Sequence, residues 1–157
     1  MKRLFYFIVM SVFLSGCTSE TALKKEEARD YLKEGTDFLS KGNPYQAIKV
    51  FKEAATQNPA DSRLHFVLAQ TYMYIADYNN AMDHFKATIQ LEPDNGEAYL
   101  LLGGCYDLLG KKDEAIENVK KSIAMFYHKR DEKNFKRSLA IFKNLTAADN
   151  HYRLGHM

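Results

Sequence analysis

The sequence predicts an all-α fold: three helix-turn-helix units in series, closed by a C-terminal helix. Three observations carry that expectation. A shift of 34 residues lays Gly35 on Ala69 and Gly103, and Phe38 on Tyr72 and Tyr106. The same shift aligns Ala47, Ala81 and Ala115, then Phe51, Phe85 and Val119, while Pro59 and Pro93 share a column held by Tyr127 in the third copy. A fixed period of ~20–50 residues marks a stacked-repeat architecture. Apolar residues inside each copy recur at helical spacing, and breaking residues fall at matching points between the runs.

The middle copy, Ser62 to Asn95, shows how one unit works. Leu64, Leu68, Tyr72 and Ile75 recur at steps of three or four and define one face of a helix. Asp77-Tyr78-Asn79-Asn80 interrupts the pattern, and Ala81, Phe85, Ile89 and Leu91 form a second run. Ala69 and Ala81 leave room where two helices come close, and the large residues fill the space beside that approach. Glu92-Pro93 ends the second helix, because proline disfavours the helical region for the residue before it. A single pair cannot bury both of its faces, so it needs neighbours on either side.

This pattern of small, aromatic, Ala, Phe and Pro columns resembles the tetratricopeptide repeat, in copies at 28–61, 62–95 and 96–129 that cover roughly two-thirds of the chain. The resemblance implies a right-handed superhelix of three units, with a domain over 22–146. Glu34 stands where the family has leucine, and Val119, Ser122 and Tyr127 depart from its pattern in the third copy. Helical character begins near Ala22, ahead of the repeat frame. Gly42-Asn43-Pro44 suits one helix end and the first turn of the next, with Ala76 and Gly110 in the glycine's column. Asp61 and Asn95 are expected N-caps.

The N-terminus has a different character. Met1-Lys2-Arg3 is basic, Leu4 to Leu14 is apolar, and Ser15-Gly16-Cys17 follows. The apolar run is about half the ~20 residues a membrane span needs and fits a secretory leader over 1–16. Leu14-Ser15-Gly16-Cys17 resembles the lipobox of bacterial lipoproteins. That resemblance implies diacylglycerol on the Cys17 thiol, cleavage before Cys17 and acylation of the new amino group. The competing reading is an ordinary signal peptide that contains a cysteine. Several acyl chains anchor stably where one is marginal, and 17–21 would be a short tether. Thr18, rather than aspartate, follows the cysteine, and the resemblance then implies the outer membrane, facing the periplasm.

Loss of the leader removes Lys2 and Arg3 and leaves 20 basic against 20 acidic residues. That balance gives no electrostatic reason to expect nucleic acid. With Cys17 acylated, Cys105 has no partner for a disulfide and reads as a buried inert thiol. At the other end, Phe135, Leu139, Phe142 and Leu145 share one face of a capping helix at 131–146, with Lys133, Lys136, Arg137 and Lys143 mostly opposite. A cover with a polar outer face is what a terminal repeat requires. The basic face reads alternatively as a contact for acidic lipid or a partner. Residues 147–157 lose periodicity and are expected to be a flexible tail.

The chain offers little chemistry. His65, His84, His128, His151 and His156 show no spacing that places two metal ligands on one helical turn. There is no CxxC pair, phosphate loop or nucleophile elbow, so no enzyme, metal or cofactor is expected beyond the lipid on Cys17. The repeat resemblance implies instead a concave groove lined by the first helix of each pair. Carried onto this chain, its principal lining is Leu32 and Thr36, then Phe66, Val67, Gln70, Met73 and Tyr74, then Leu100 and Leu101. The carboxylate clamp of chaperone-binding members has no match at Leu32, Thr36, Val67, Glu97 and Leu101, and Glu97 would repel a carboxylate. An apolar groove suits an amphipathic helix or an extended apolar peptide. The expected function is thus a lipid-anchored protein-interaction adaptor or assembly factor of the bacterial envelope, with secretion or pilus components among its possible partners. Carriage of a small apolar ligand or lipid, self-association into homo-oligomers, and covering of the groove by the chain's own helices are the alternatives.

Overall fold

The computed structural model describes residues 30–154, with 148–154 as helix backbone only. Among the described residues every regular element is an α-helix. These are α1 (30–40), α2 (Pro44–Gln57), α3 (Ser62–Tyr74), α4 (Tyr78–Leu91), α5 (Gly96–Leu108), α6 (Lys112–His128) and α7 (Glu132–Leu154). They fall into two compact units, α1 and α2 in the first, ending at Asn58, and α3 to α7 in the second, starting at Pro59. The leader, Cys17, its tether and the helix start expected near Ala22 lie outside the described residues.

The first unit is one helix pair. Gly35 of α1 lies so close to Phe51 of α2 that a Cβ there would stand 2.1 Å from the ring. The missing side chain is what admits the phenyl group, and Phe51 is fully buried along with Ala47 and Ala54. Pro44 opens α2 with a backbone angle already suited to a helix, and the N–H it lacks would have had no helical partner.

Four helix ends share one device. The N–H groups of Asn43, Asp77, Lys111 and Asp131 donate to the carbonyls of Phe38, Tyr72, Tyr106 and Phe126, each at 2.9 Å. The residue before each donor is left-handed: Gly42 (φ 72), Ala76 (φ 61), Gly110 (φ 72) and Arg130 (φ 55). This is the Schellman closure, which satisfies carbonyls that the helix leaves open. The first three turns occupy one column of the repeat, and the fourth starts the departure to α7.

The second unit is built on the same rule with different side chains. In α3/α4, Leu64, Leu68, Ala69, Ala81 and Phe85 are fully buried, and the Phe66 ring meets Phe85 edge-on at 5.9 Å. His65 and His84 face each other across this pair with their Nδ1 atoms 3.2 Å apart, and His84 stacks on Tyr72. His65 Nε2–H donates to the Pro59 carbonyl at 3.1 Å, which leaves His65 Nδ1 to accept from His84. In α5/α6 a Cβ on Gly103 would stand 2.9 Å from Val119 Cγ2 and 3.1 Å from the Ala115 carbonyl oxygen.

Capping defines the helix starts. Asp61, Asp77 and Asn95 side chains accept from the N–H groups of Arg63, Asn80 and Ala98, and Asp131 accepts from Asn134 at the head of α7. Between repeats, the Glu92 carboxylate accepts from the Ser62 hydroxyl and, at 3.0 Å, from the Asn95 side chain. One acidic residue thereby ties the end of α4 to the starts of α3 and α5.

α7 covers the third pair. Leu145 joins Leu100, Ala115, Val119 and Phe126 in one cluster, with Phe135, Ile141 and Phe142 packed against it. The hydroxyls of Ser122 and Ser138, both fully buried, meet at 2.9 Å. The helix also runs past the expected end at 146 and continues to Leu154. From Ala147 to Leu154 there is neither glycine nor proline, so no breaker stands before Gly155. Over 147–154 the expected flexible tail is therefore corrected to helix, and 155–157 lie outside the described residues.

Candidate functional site

The expected groove residues are divided by the structure. Leu32 and Thr36 belong to the first unit, where Leu32 is half-buried and the exposed Thr36 hydroxyl donates to the Leu32 and Lys33 carbonyls. The remaining residues lie in the second unit, on α3 and α5. A cavity of about 260 Å³ opens there, lined by Gln70, Met73 and Tyr74 of α3 and Leu101 of α5. The Tyr74 ring is 74% exposed at its mouth, and Leu108, two turns beyond Leu101, is 56% exposed.

A second cavity of about 260 Å³ lies at the other end of α3, lined by Ser62, Arg63, Phe66, Val67, Glu92 and Asn95. Its polar rim is organised. Arg63 donates to both Asp61 oxygens, from Nε at 3.0 Å and from a terminal nitrogen at 2.6 Å. That hydrogen bonding holds the Asp61 carboxyl below the usual carboxylate range. Phe66 and Val67 are half-buried and form the apolar floor beside it.

Leu100 is a correction. The repeat resemblance implies a place on the groove, but Leu100 is 3% exposed and belongs to the core under α7. Its stripe of α5 points to where another repeat would stack, and α7 takes that place. Glu97 also changes meaning, because Arg137 of α7 donates to both its oxygens at 3.0 and 3.2 Å. The carboxylate expected to repel an acidic ligand already carries a cation.

One feature escaped the sequence: His65 and His84 come together from different helices, 19 residues apart, a separation outside any single-helix motif. Of the adjacent glycines, Gly103 is the packing residue that the repeat column expects, whereas a Cβ on Gly104 would meet nothing within 4 Å. Cys105 is fully buried, and burial pushes its thiol up to about 11, which leaves it protonated at neutral pH. Among the described residues no group of three or more His, Cys, Asp or Glu side chains could hold a metal ion, and no helix is long and apolar enough to cross a membrane.

Paired helices on a 34-residue period, presenting a partly apolar face through the first helix of each pair, define an α-helical repeat protein. Two Tetratricopeptide repeat family models match, over residues 32–73 and 76–122, together more than half of the chain. The chain belongs to the tetratricopeptide repeat family. Among curated proteins it is similar to the BBSome complex member BBS4 of Bos taurus, 30% identical over 57% of this chain and 17% of that protein. A TPR repeat-containing protein of Methanocaldococcus jannaschii is 27% identical over 60% of this chain and 30% of its own length. The chain thus spans less than a third of these relatives.

Solved structures share the fold. The type III secretion translocator chaperone SycD of Yersinia enterocolitica superposes with a TM-score of 0.73 at 15% identity, over 78% of this chain and 85% of that one. PcrH, solved in complex with the chaperone binding region of PopD, gives 0.73 at 17% identity, over 77% and 92%.

Proposed function

We propose that this chain is a lipid-anchored interaction module of a bacterial envelope that holds a segment of a partner protein on the α3/α5 face. The observation that carries the reading is the cavity lined by Gln70, Met73, Tyr74 and Leu101, with an exposed tyrosine at its mouth. A site of about 260 Å³ accepts one large side chain. Small-molecule sites run to ~300–1,000 Å³, so the size favours a peptide anchor over a whole lipid. PcrH, with its PopD region bound, is a fold neighbour in keeping with this reading. The anchor rests on Leu14-Ser15-Gly16-Cys17, which assigns Cys17 to acylation and the mature protein to a membrane surface, with the outer membrane facing the periplasm as its place.

In-cell photocrosslinking tests the module. A photoreactive residue at Phe66 or Leu101 is expected to capture one envelope protein, while the exposed Lys120 of α6 captures none. Equal capture from all three positions, or capture of the chain itself alone, overturns the reading. Cys17→Ser is expected to move the protein from the membrane to the soluble fraction, and retention in the membrane would remove the lipid anchor from the proposal.

A further inference from the structure

The pair Gly103-Gly104 poses a question that only half resolves within the molecule. Glycine inside a helix costs stability relative to alanine. At Gly103 the cost has an internal reason, because Val119 and the Ala115 carbonyl occupy the space of a side chain. At Gly104 nothing of the protein lies within 4 Å of a built Cβ. The bare backbone there faces outward, one turn of α5 from Leu101 and its cavity.

Leu101, Gly104 and Asp107 descend α5 at steps of three, each turned by about 60° from the last. They form a diagonal: the apolar cavity on one side, bare backbone in the middle, a carboxylate on the other side. Asp107 is exposed, and among the described residues no ion pair engages its carboxylate. The diagonal rises ~9 Å along the helix, a length that three or four extended residues cover as they cross the helix.

From this we infer that Gly104 is the crossing point of an extended partner segment that carries a large apolar side chain and, three or four residues away, a lysine or arginine. The apolar side chain fills the cavity between α3 and α5, the segment's backbone lies against Gly104, and the basic group meets Asp107. The inference rests on the α3/α5 docking face proposed above and specifies what occupies it. Charge complementarity to Asp107 selects a basic segment, and a symmetric pairing of two copies of this chain through the same face would set Asp107 against Asp107.

The test uses the full-length protein in detergent micelles and three synthetic decapeptides of glycine and serine. The first carries Phe-Ser-Ser-Lys at its centre, the second Phe-Ser-Ser-Glu and the third Ala-Ser-Ser-Lys. Binding is followed by NMR shifts of the Leu101 and Tyr74 signals. The Phe/Lys peptide is expected to bind at least fivefold more tightly than either of the others. Asp107→Lys is expected to invert the preference towards the Phe/Glu peptide. Gly104→Gln is expected to abolish binding while raising the thermal midpoint, since a better helix former enters open space. Equal binding of the Lys and Glu peptides, no binding of any peptide, or full binding by Gly104→Gln overturns the inference. Photocrosslinking from Leu101 that persists in Gly104→Gln would keep the docking face and sink this occupant. Loss of all groove-specific crosslinking in the unsubstituted protein would sink both.

Discussion

The α3/α4 and α5/α6 pairs are one repeat written twice, and they close their interiors by different means. In the first, Ala69 and Phe85 are both fully buried, and the Phe66 ring meets Phe85 edge-on. In the second, the column holds Val119 and the backbones draw together over Gly103, where even a methyl group would collide. Volume lost from one column is recovered by a closer approach in another. Both pairs bury hydroxyls, but Thr71 and Thr88 of the first donate to carbonyls of their own helices, whereas Ser122 of the second meets Ser138 of α7. The repeat followed by another repeat satisfies these hydroxyls within its own helices, and the last one is fitted to its own cover.

The difference can be broken at its largest element first. Phe85→Ala is expected to cost ~3–5 kcal/mol, as truncation of a fully buried phenylalanine does. Val119→Ala should cost nearer ~2 kcal/mol, because fewer buried atoms leave. Urea unfolding of both variants reads the contrast, and equal losses would mean that the two pairs do not differ in this way. The serine pair sharpens it. Ser122→Ala leaves the Ser138 hydroxyl buried and unsatisfied, at ~1–3 kcal/mol, while the double alanine variant should recover most of that loss. A double variant as unstable as the single one would show that the hydroxyls do not act as a pair.

Much of this organisation was legible in the letters, because a repeat repeats its packing rule. The columns Gly35/Ala69/Gly103 and Phe51/Phe85/Val119 name the partners that meet closely at Gly35–Phe51 and Gly103–Val119, and the turn column at 42, 76 and 110 marks three of the four left-handed residues among those described. The fourth, Arg130, lies outside the period and carries no glycine to announce it. Leu100 was misplaced because the repeat resemblance gives the groove positions of a repeat followed by another, and α7 covers that position in the last one. The far end of α7 was misread as tail through weak periodicity, although the absence of glycine and proline up to Gly155 was available as a counter-signal. His65 and His84 could be joined only by knowing how α3 lies on α4. The repeat column marks Gly103 as the packing glycine, but the open space beside Gly104 shows only in the structure.

The smallest expected effect concerns the turns. Ala76 holds the left-handed position that Gly42 and Gly110 hold elsewhere, and a residue with a Cβ loses roughly 1–2 kcal/mol there. Ala76→Gly should therefore stabilise the second unit by up to ~1 kcal/mol, the greater freedom of glycine in the unfolded chain offsetting part of the gain. Gly110→Ala should destabilise by a similar amount. Thermal unfolding of the two variants is expected to shift in opposite directions.

Cys105 turns the architecture into a timepiece. Its sulfur is sealed inside the helix pair, and its high proton affinity slows reaction with any thiol reagent at neutral pH. If Cys17 is acylated as proposed, no second thiol competes in the sequence. Modification of Cys105 must then wait for α5 to lift away from its neighbours. Pulse labelling of the intact protein would count those openings directly, without an introduced cysteine. A bound partner segment across α5 would slow that count even where no change of shape accompanies binding.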